Sequence, residues 1–115
     1  MKDIHGEIQY RGKTYRLDFN LNVMEAIQEE YGSVSEWGDL TDGQSGEPNA
    51  KAVIFGFTQM LNEGLEIEAE ETGEPIRHFT TKQVGRMITE VGLVQATQTL
   101  NETVVESTKV VEKNG

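Results

Sequence analysis

The strongest constraint on this chain is a short alternating stretch near its start. Within residues 7–19, Ile8, Tyr10, Tyr15, Leu17 and Phe19 occupy every second position on either side of Gly12-Lys13. A period of two marks half-buried strands, and Gly-Lys between two such runs marks a turn. Residues 7–19 are therefore expected to form a β-hairpin.

The next segment reads as helix. Asn22-Val23-Met24-Glu25 has the spacing of a capping box, Val23, Ala26, Ile27 and Tyr31 share one helical face, and Gly32 is a natural stop. This predicts a helix over 22–31. Ser33 and Glu36 can cap one further turn that brings Trp37 and Leu40 to the core side, with Trp37 as a packing anchor. Residues 41–49 hold two Gly, one Pro and small polar residues, and read as a connecting loop.

Asn49 can cap a second helix over 50–63, with Val53, Ile54, Phe57, Met60 and Leu61 at helical spacing and Gly64 as its end. Gly56 inside it lowers helix stability by up to about 1 kcal/mol, which implies close approach of a neighbouring element. Residues 65–76 are expected to be irregular or partly helical. Thr80 with Gln83 forms a capping box, and Phe79 with Val84 a hydrophobic staple, at the head of a helix over 80–91. Leu93, Ala96, Leu100 and Val104 extend a last helix over 93–106, beyond which a run rich in Thr and Val is expected to fray. The expected fold is α+β, mainly α: one domain over 1–115, a hairpin on a bundle of about four helices.

Charge narrows the partners. The net charge is −10, and ten of the acids fall in two stretches without bases, residues 33–49 and 63–74. Such a field disfavours binding to nucleic acid phosphates. Solvated acidic loops are the simplest account of both stretches. There is no Cys, so disulfides and thiolate metal sites are excluded. No apolar run of signal-peptide or membrane-spanning length is present, which predicts a cytoplasmic protein without a membrane partner.

No catalytic constellation or cofactor site emerges. Nucleophilic catalysis needs a base beside the nucleophile and a third group to orient it; of the two histidines, His5 lies near a terminus and His78 reads as a partly exposed linker residue before a helix cap. His5 and Glu7 are too few for a metal site. Residues 39–46 fail as a calcium loop, because Gly38 or Thr41 falls where the first carboxylate belongs. Gly12-Lys13-Thr14 lacks the upstream glycine of a phosphate loop. Arg11, Lys13 and Arg16 could form a small cationic patch at one end of the hairpin. A charged, soluble hairpin edge accounts for them equally well.

Taken in order, several segments resemble a known family. Tyr15-Arg16-Leu17-Asp18-Phe19-Asn20-Leu21-Asn22 leads into a helix closing in Glu30-Tyr31-Gly32-Ser33, then the Trp37 turn. Leu61-Asn62-Glu63-Gly64, Glu70-Glu71-Thr72-Gly73 and Thr80-Thr81-Lys82-Gln83-Val84-Gly85-Arg86-Met87-Ile88 come next. Over residues 7–92 this pattern resembles the tail assembly chaperones of long-tailed, siphovirus-type bacteriophages and prophages of Gram-positive bacteria. The resemblance implies a non-enzymatic factor that coats the tape measure protein and recruits tail tube subunits. It implies residence in the cytoplasm of the bacterial host and absence from the mature virion. It also implies that this chain corresponds to the short form, which in many such phages a frameshift extends.

A chaperone for helical clients needs an apolar face, and Met side chains suit one. Met60, Val84, Met87, Ile88, Leu93 and Leu100 are the candidates for a client-binding face; core packing is the plainer account of the same residues. Two other functions remain open. One is an acidic inhibitor that mimics nucleic acid, which would need carboxylates fixed on a rigid face rather than in loops. The other is a structural tail or neck subunit. Heptad-like spacing in the last helix suggests weak self-association at most.

Overall fold

A computed structural model describes residues 4–43 and 46–114. Two strands, β1 (Gly6–Tyr10) and β2 (Lys13–Leu17), pair antiparallel with Ile8 opposite Tyr15 and Tyr10 opposite Lys13. The turn is Arg11-Gly12, one residue earlier than the sequence pattern suggested. Both turn residues have positive φ, 51° and 77°, as a two-residue hairpin turn of matching twist requires. Glycine takes the second position without strain. Arg11 takes the first while its guanidinium bonds Glu90 at 3.1 and 3.3 Å.

Five helices complete the chain: α1 (Leu21–Tyr31), α2 (Val34–Thr41), α3 (Ala50–Thr72), α4 (Thr81–Val91) and α5 (Leu93–Asn114). The fold is thus α+β and mainly α, with one helix more than the expected bundle. The cap of α1 lies two residues earlier than its sequence signature. It is Asn20, not Asn22: the Asn20 side-chain oxygen accepts from the Val23 amide at 3.2 Å, while its Nδ2 donates to Glu63 at 2.6 Å. Both asparagines donate to Glu63 from across the fold, Asn20 at 2.6 Å and Asn22 at 3.1 Å, and the extended backbone at Asn20 makes it the cap.

The turn expected after Ser33 is a complete helix. Ser33 caps α2 by accepting from the Glu36 amide at 3.0 Å. Trp37 and Thr41, four residues apart, face inward, so Leu40 lies off that face and is 38% exposed rather than in the core. The Trp37 indole donates to the Ala52 carbonyl of α3 at 2.9 Å. A Cβ on Gly56 would enter that ring, which explains the glycine at this point of the helix.

The largest departure is α3, which runs through Gly64 and on to Thr72, with Gly73 in the left-handed conformation as its cap. Gly64 is not a stop. It is a buried point of contact, where a Cβ would meet the Arg16 carbonyl oxygen at 2.5 Å. The exit of β2 is tied down beside it by the Asp18 amide, which donates to the Met60 carbonyl at 3.1 Å. Glu66, Glu68, Glu70 and Glu71 accordingly sit on a helix, not in a loop.

α4 opens with the capping box read from sequence: Gln83 N donates to Thr80 Oγ1 at 3.1 Å and Thr80 N to Gln83 Oε1 at 2.8 Å. α5 continues past residue 106 to Asn114. Thr97, Thr103 and Thr108 satisfy their hydroxyls on the helix itself, Thr103 on the Thr99 carbonyl at 2.8 Å. α3 lies at the centre, touching β2, α1, α2, α4 and α5. One cluster of buried side chains, including Leu17, Ile27, Trp37, Phe57, Met87 and Leu100, joins the hairpin to all five helices.

Candidate functional site

The core claims most of the apolar face proposed for client binding. Met60, Val84 and Leu100 are fully buried, and Met87 and Ile88 nearly so. Leu93 stands apart at the head of α5, 45% exposed beside the more exposed Val94. Helical periodicity locates an inward face and an outward partner face by the same signal, so it could not separate them.

The hairpin cations do not assemble into a patch. Arg16 is turned inward and held by Asp18 through two bonds of 2.7 Å, with both side chains nearly buried. Arg11 reaches Glu90 at the end of α4, and the carboxylate, by hydrogen bond and then by charge, raises the guanidinium pKa further. Lys13 lies 5.1 Å from the centre of the Tyr15 ring. His5 lies 3.4 Å from Glu7, and His78 meets Glu66 at 3.8 Å with both side chains half exposed. Among the described residues, no group of three His, Asp or Glu is placed to hold a metal ion, and no helix is long and apolar enough to cross a membrane.

Two of the concave surfaces among the described residues combine aromatic or aliphatic walls with charged rims. The first, about 360 Å³, lies between the second half of α3, the hairpin face carrying Tyr15, and residues 74–79. Its wall is latched by Asn62, whose side chain donates to the Phe79 carbonyl at 3.0 Å and accepts from the Phe79 amide at 2.8 Å. Tyr15 and Phe79 meet edge to face with centroids 5.5 Å apart.

The second surface runs between α3 and α4 and is the better candidate for binding. Two depressions of about 490 and 790 Å³ share Ile54, Lys82 and Gly85. Ile54 and Phe55 of α3 form the apolar floor with Gly85, and Lys51, Lys82 and Arg86 stand around it. Phe55 is buttressed from behind by Tyr31, edge to face at 5.6 Å. The Tyr31 hydroxyl is enclosed and has no hydrogen-bond partner among the described residues, and burial, then the Glu30 charge, raises its pKa.

Charge is unevenly satisfied along this groove. At one end Lys51 is 3.8 Å from Glu30, and at the other Arg11 holds Glu90. Between them Lys82 and Arg86 have no carboxylate partner among the described residues. Sequence reading missed this site because it assigned Ile54 to the core and passed over the two bases. The available signal was Lys82 and Arg86 at i, i+4 in a strongly acidic chain. Comparison with protein-family models, with curated proteins and with solved structures gave no match to this chain.

Proposed function

We propose that this protein is a non-enzymatic assembly chaperone of a long-tailed bacteriophage or prophage. In this reading it binds the tape measure protein, helps recruit tail tube subunits in the host cytoplasm, and leaves before the virion is complete. The observation that carries the reading is where the resembling segments meet. Leu61-Asn62-Glu63-Gly64 is the run that latches the fold: Asn62 holds Phe79 ahead of α4, Glu63 accepts from Asn20 and Asn22, and Gly64 admits Arg16. Three stretches that carry the resemblance, around residues 15–22, 61–64 and 80–88, are thus mutually dependent parts of one framework. The α3–α4 groove adds an accessible apolar surface of the kind a client helix would need.

Co-expression with the tape measure protein of the same genome tests the proposal. The expected outcome is a larger soluble fraction of that protein and a co-eluting complex on gel filtration. An unchanged soluble fraction with no complex would overturn it.

A second reading gains from α3. An acidic mimic of nucleic acid needs carboxylates on a rigid element, and Glu66, Glu68, Glu70 and Glu71 lie exposed on this helix. On that reading the protein competes with DNA for a DNA-binding enzyme, and Glu70→Gln with Glu71→Gln weakens the competition. A failure of the native protein to compete removes it.

A further inference from the structure

Three glycines lie within α3 and α4, and two are explained by what presses on them. Gly56 admits the Trp37 ring and Gly64 the Arg16 backbone. Gly85, in the middle of α4, is different. A Cβ there would meet only Ile54 Cδ1, at 3.5 Å, which is ordinary contact. The backbone is helical, so no turn requires glycine either. Glycine here nevertheless costs the helix stability relative to Ala. Its structural consequence is outward: it leaves the α4 backbone bare beside Ile54 and Phe55. A Cβ on Gly38 would meet nothing, but that glycine belongs to the short α2 and lies outside the groove.

The charges next to this bare strip are also unused. Lys82 and Arg86 are exposed on α4, about 6 Å apart along the helix axis, and find no carboxylate among the described residues, in a chain with twice as many acids as bases. The acid four residues beyond Arg86 is Glu90, which would ordinarily pair with it. Glu90 is instead turned to Arg11, at 3.1 Å. Both ends of the groove are neutralised from within, and its middle is not.

We propose that the α3–α4 groove seats one helix of a partner protein. Its apolar side faces Ile54, Phe55 and Gly85, and it carries two carboxylates four residues apart that reach Lys82 and Arg86. Glycine lets the partner's backbone or small side chains approach α4 closely. The two cations set its register and orientation and, as close charge pairs at an interface can, add to its affinity. The groove alone supports this assignment, whichever client occupies it.

The test uses a fluorescein-labelled helical peptide of about 20 residues, long enough to be partly helical when free. It has a leucine stripe and, beside it, two glutamates at i, i+4. Anisotropy titration of the full chain is expected to show saturable binding that weakens as salt rises. Replacing both peptide glutamates by Gln, or introducing Lys82→Glu with Arg86→Glu, is expected to weaken it at least tenfold. Lys109→Glu, a charge reversal on α5, is expected to leave it within twofold. Gly85→Leu is expected to abolish it, with circular dichroism confirming that the variant is folded; if it is not, the peptide Gln variant decides alone.

Equal affinity for the Glu and Gln peptides, or no binding of either, would overturn the proposal. So would self-association of the native chain that Gly85→Leu removes, since a second copy would then be the occupant. Binding of this probe without any complex with the tape measure protein would overturn the chaperone reading and leave the groove assignment standing.

Discussion

Asp18 shows how much one carboxylate can carry in a small core. It accepts two bonds of 2.7 Å from Arg16, and its side chain is only 8% exposed against 11% for Arg16. Breaking a buried pair by removing one member costs about 3–5 kcal/mol, whereas replacing both by apolar groups is often neutral. Asp18→Ala is therefore expected to destabilise severely in urea denaturation, and Arg16→Met with Asp18→Leu to recover most of that loss. Tyr31 presents the opposite case, a buried hydroxyl with no partner among the described residues. Burial, and then Glu30, raises its pKa above the ordinary tyrosine value, so the folded chain holds this proton more tightly than the unfolded chain does. The corresponding stability is complete below about pH 10 and is lost as pH rises through the folded pKa. Tyr31→Phe is expected to be at least as stable as the native chain at pH 7, by up to about 1 kcal/mol. Its advantage should grow above about pH 10, as paired denaturation curves at the two pH values would show.

The same residue type means different things in different elements, and here glycine separates them. A methyl group at Gly56 would strike an aromatic ring and one at Gly64 a backbone carbonyl, so Gly56→Ala and Gly64→Ala are each expected to cost about 1–3 kcal/mol by overpacking. Gly85→Ala meets no such obstacle and is expected to raise stability by up to about 1 kcal/mol. Thermal melts of the three variants would order them. Asn62→Ala removes two bonds to the Phe79 backbone and is expected to cost about 1–3 kcal/mol, with faster amide exchange at Phe79 as the local signature. These contacts also mark what sequence could reveal. The α4 cap was legible because Thr80 and Gln83 satisfy each other within one turn, and Trp37 because a lone large ring seeks a core. Gly56 was legible because its intrinsic cost needed a neighbour. The length of α3 was not: Gly64 looks like a stop in local terms, and only the passage of β2 across it makes it a packing residue. The groove was illegible because Ile54 shares the helical period of the core residues around it.

At the scale of the whole molecule the acids oppose the fold that carries them. The net charge is −10, and self-repulsion of that size destabilises a folded chain unless salt screens it. Part of the repulsion is concentrated at the end of α3, where Glu68, Glu70 and Glu71 approach the negative end of the helix dipole and no base lies in the last turn. Acids in that position are unfavourable by about 0.3–1 kcal/mol each at low ionic strength. Reversing Glu70 and Glu71 to Lys takes the net charge from −10 to −6 and places cations where the dipole favours them. The double variant is therefore expected to be more stable by about 1 kcal/mol, a rise of about 4 °C in Tm. The native Tm should increase as sodium chloride is raised from about 10 mM toward about 0.5 M, across which screening shortens from tens of ångströms to a few, and the variant should respond less. If both respond alike, the repulsion is spread over the surface rather than seated on α3. If the variant is the less stable one, the carboxylates at 70 and 71 contribute contacts that outweigh the dipole. A chain that keeps exposed glutamates at this helix end gives up stability for surface charge. Such charge would hold a complex with an apolar client in solution, and on the competing reading it would present a rigid row of anions to a basic partner. The variant separates these uses, since Glu70→Lys with Glu71→Lys should leave peptide binding in the α3–α4 groove within twofold while abolishing any competition with DNA.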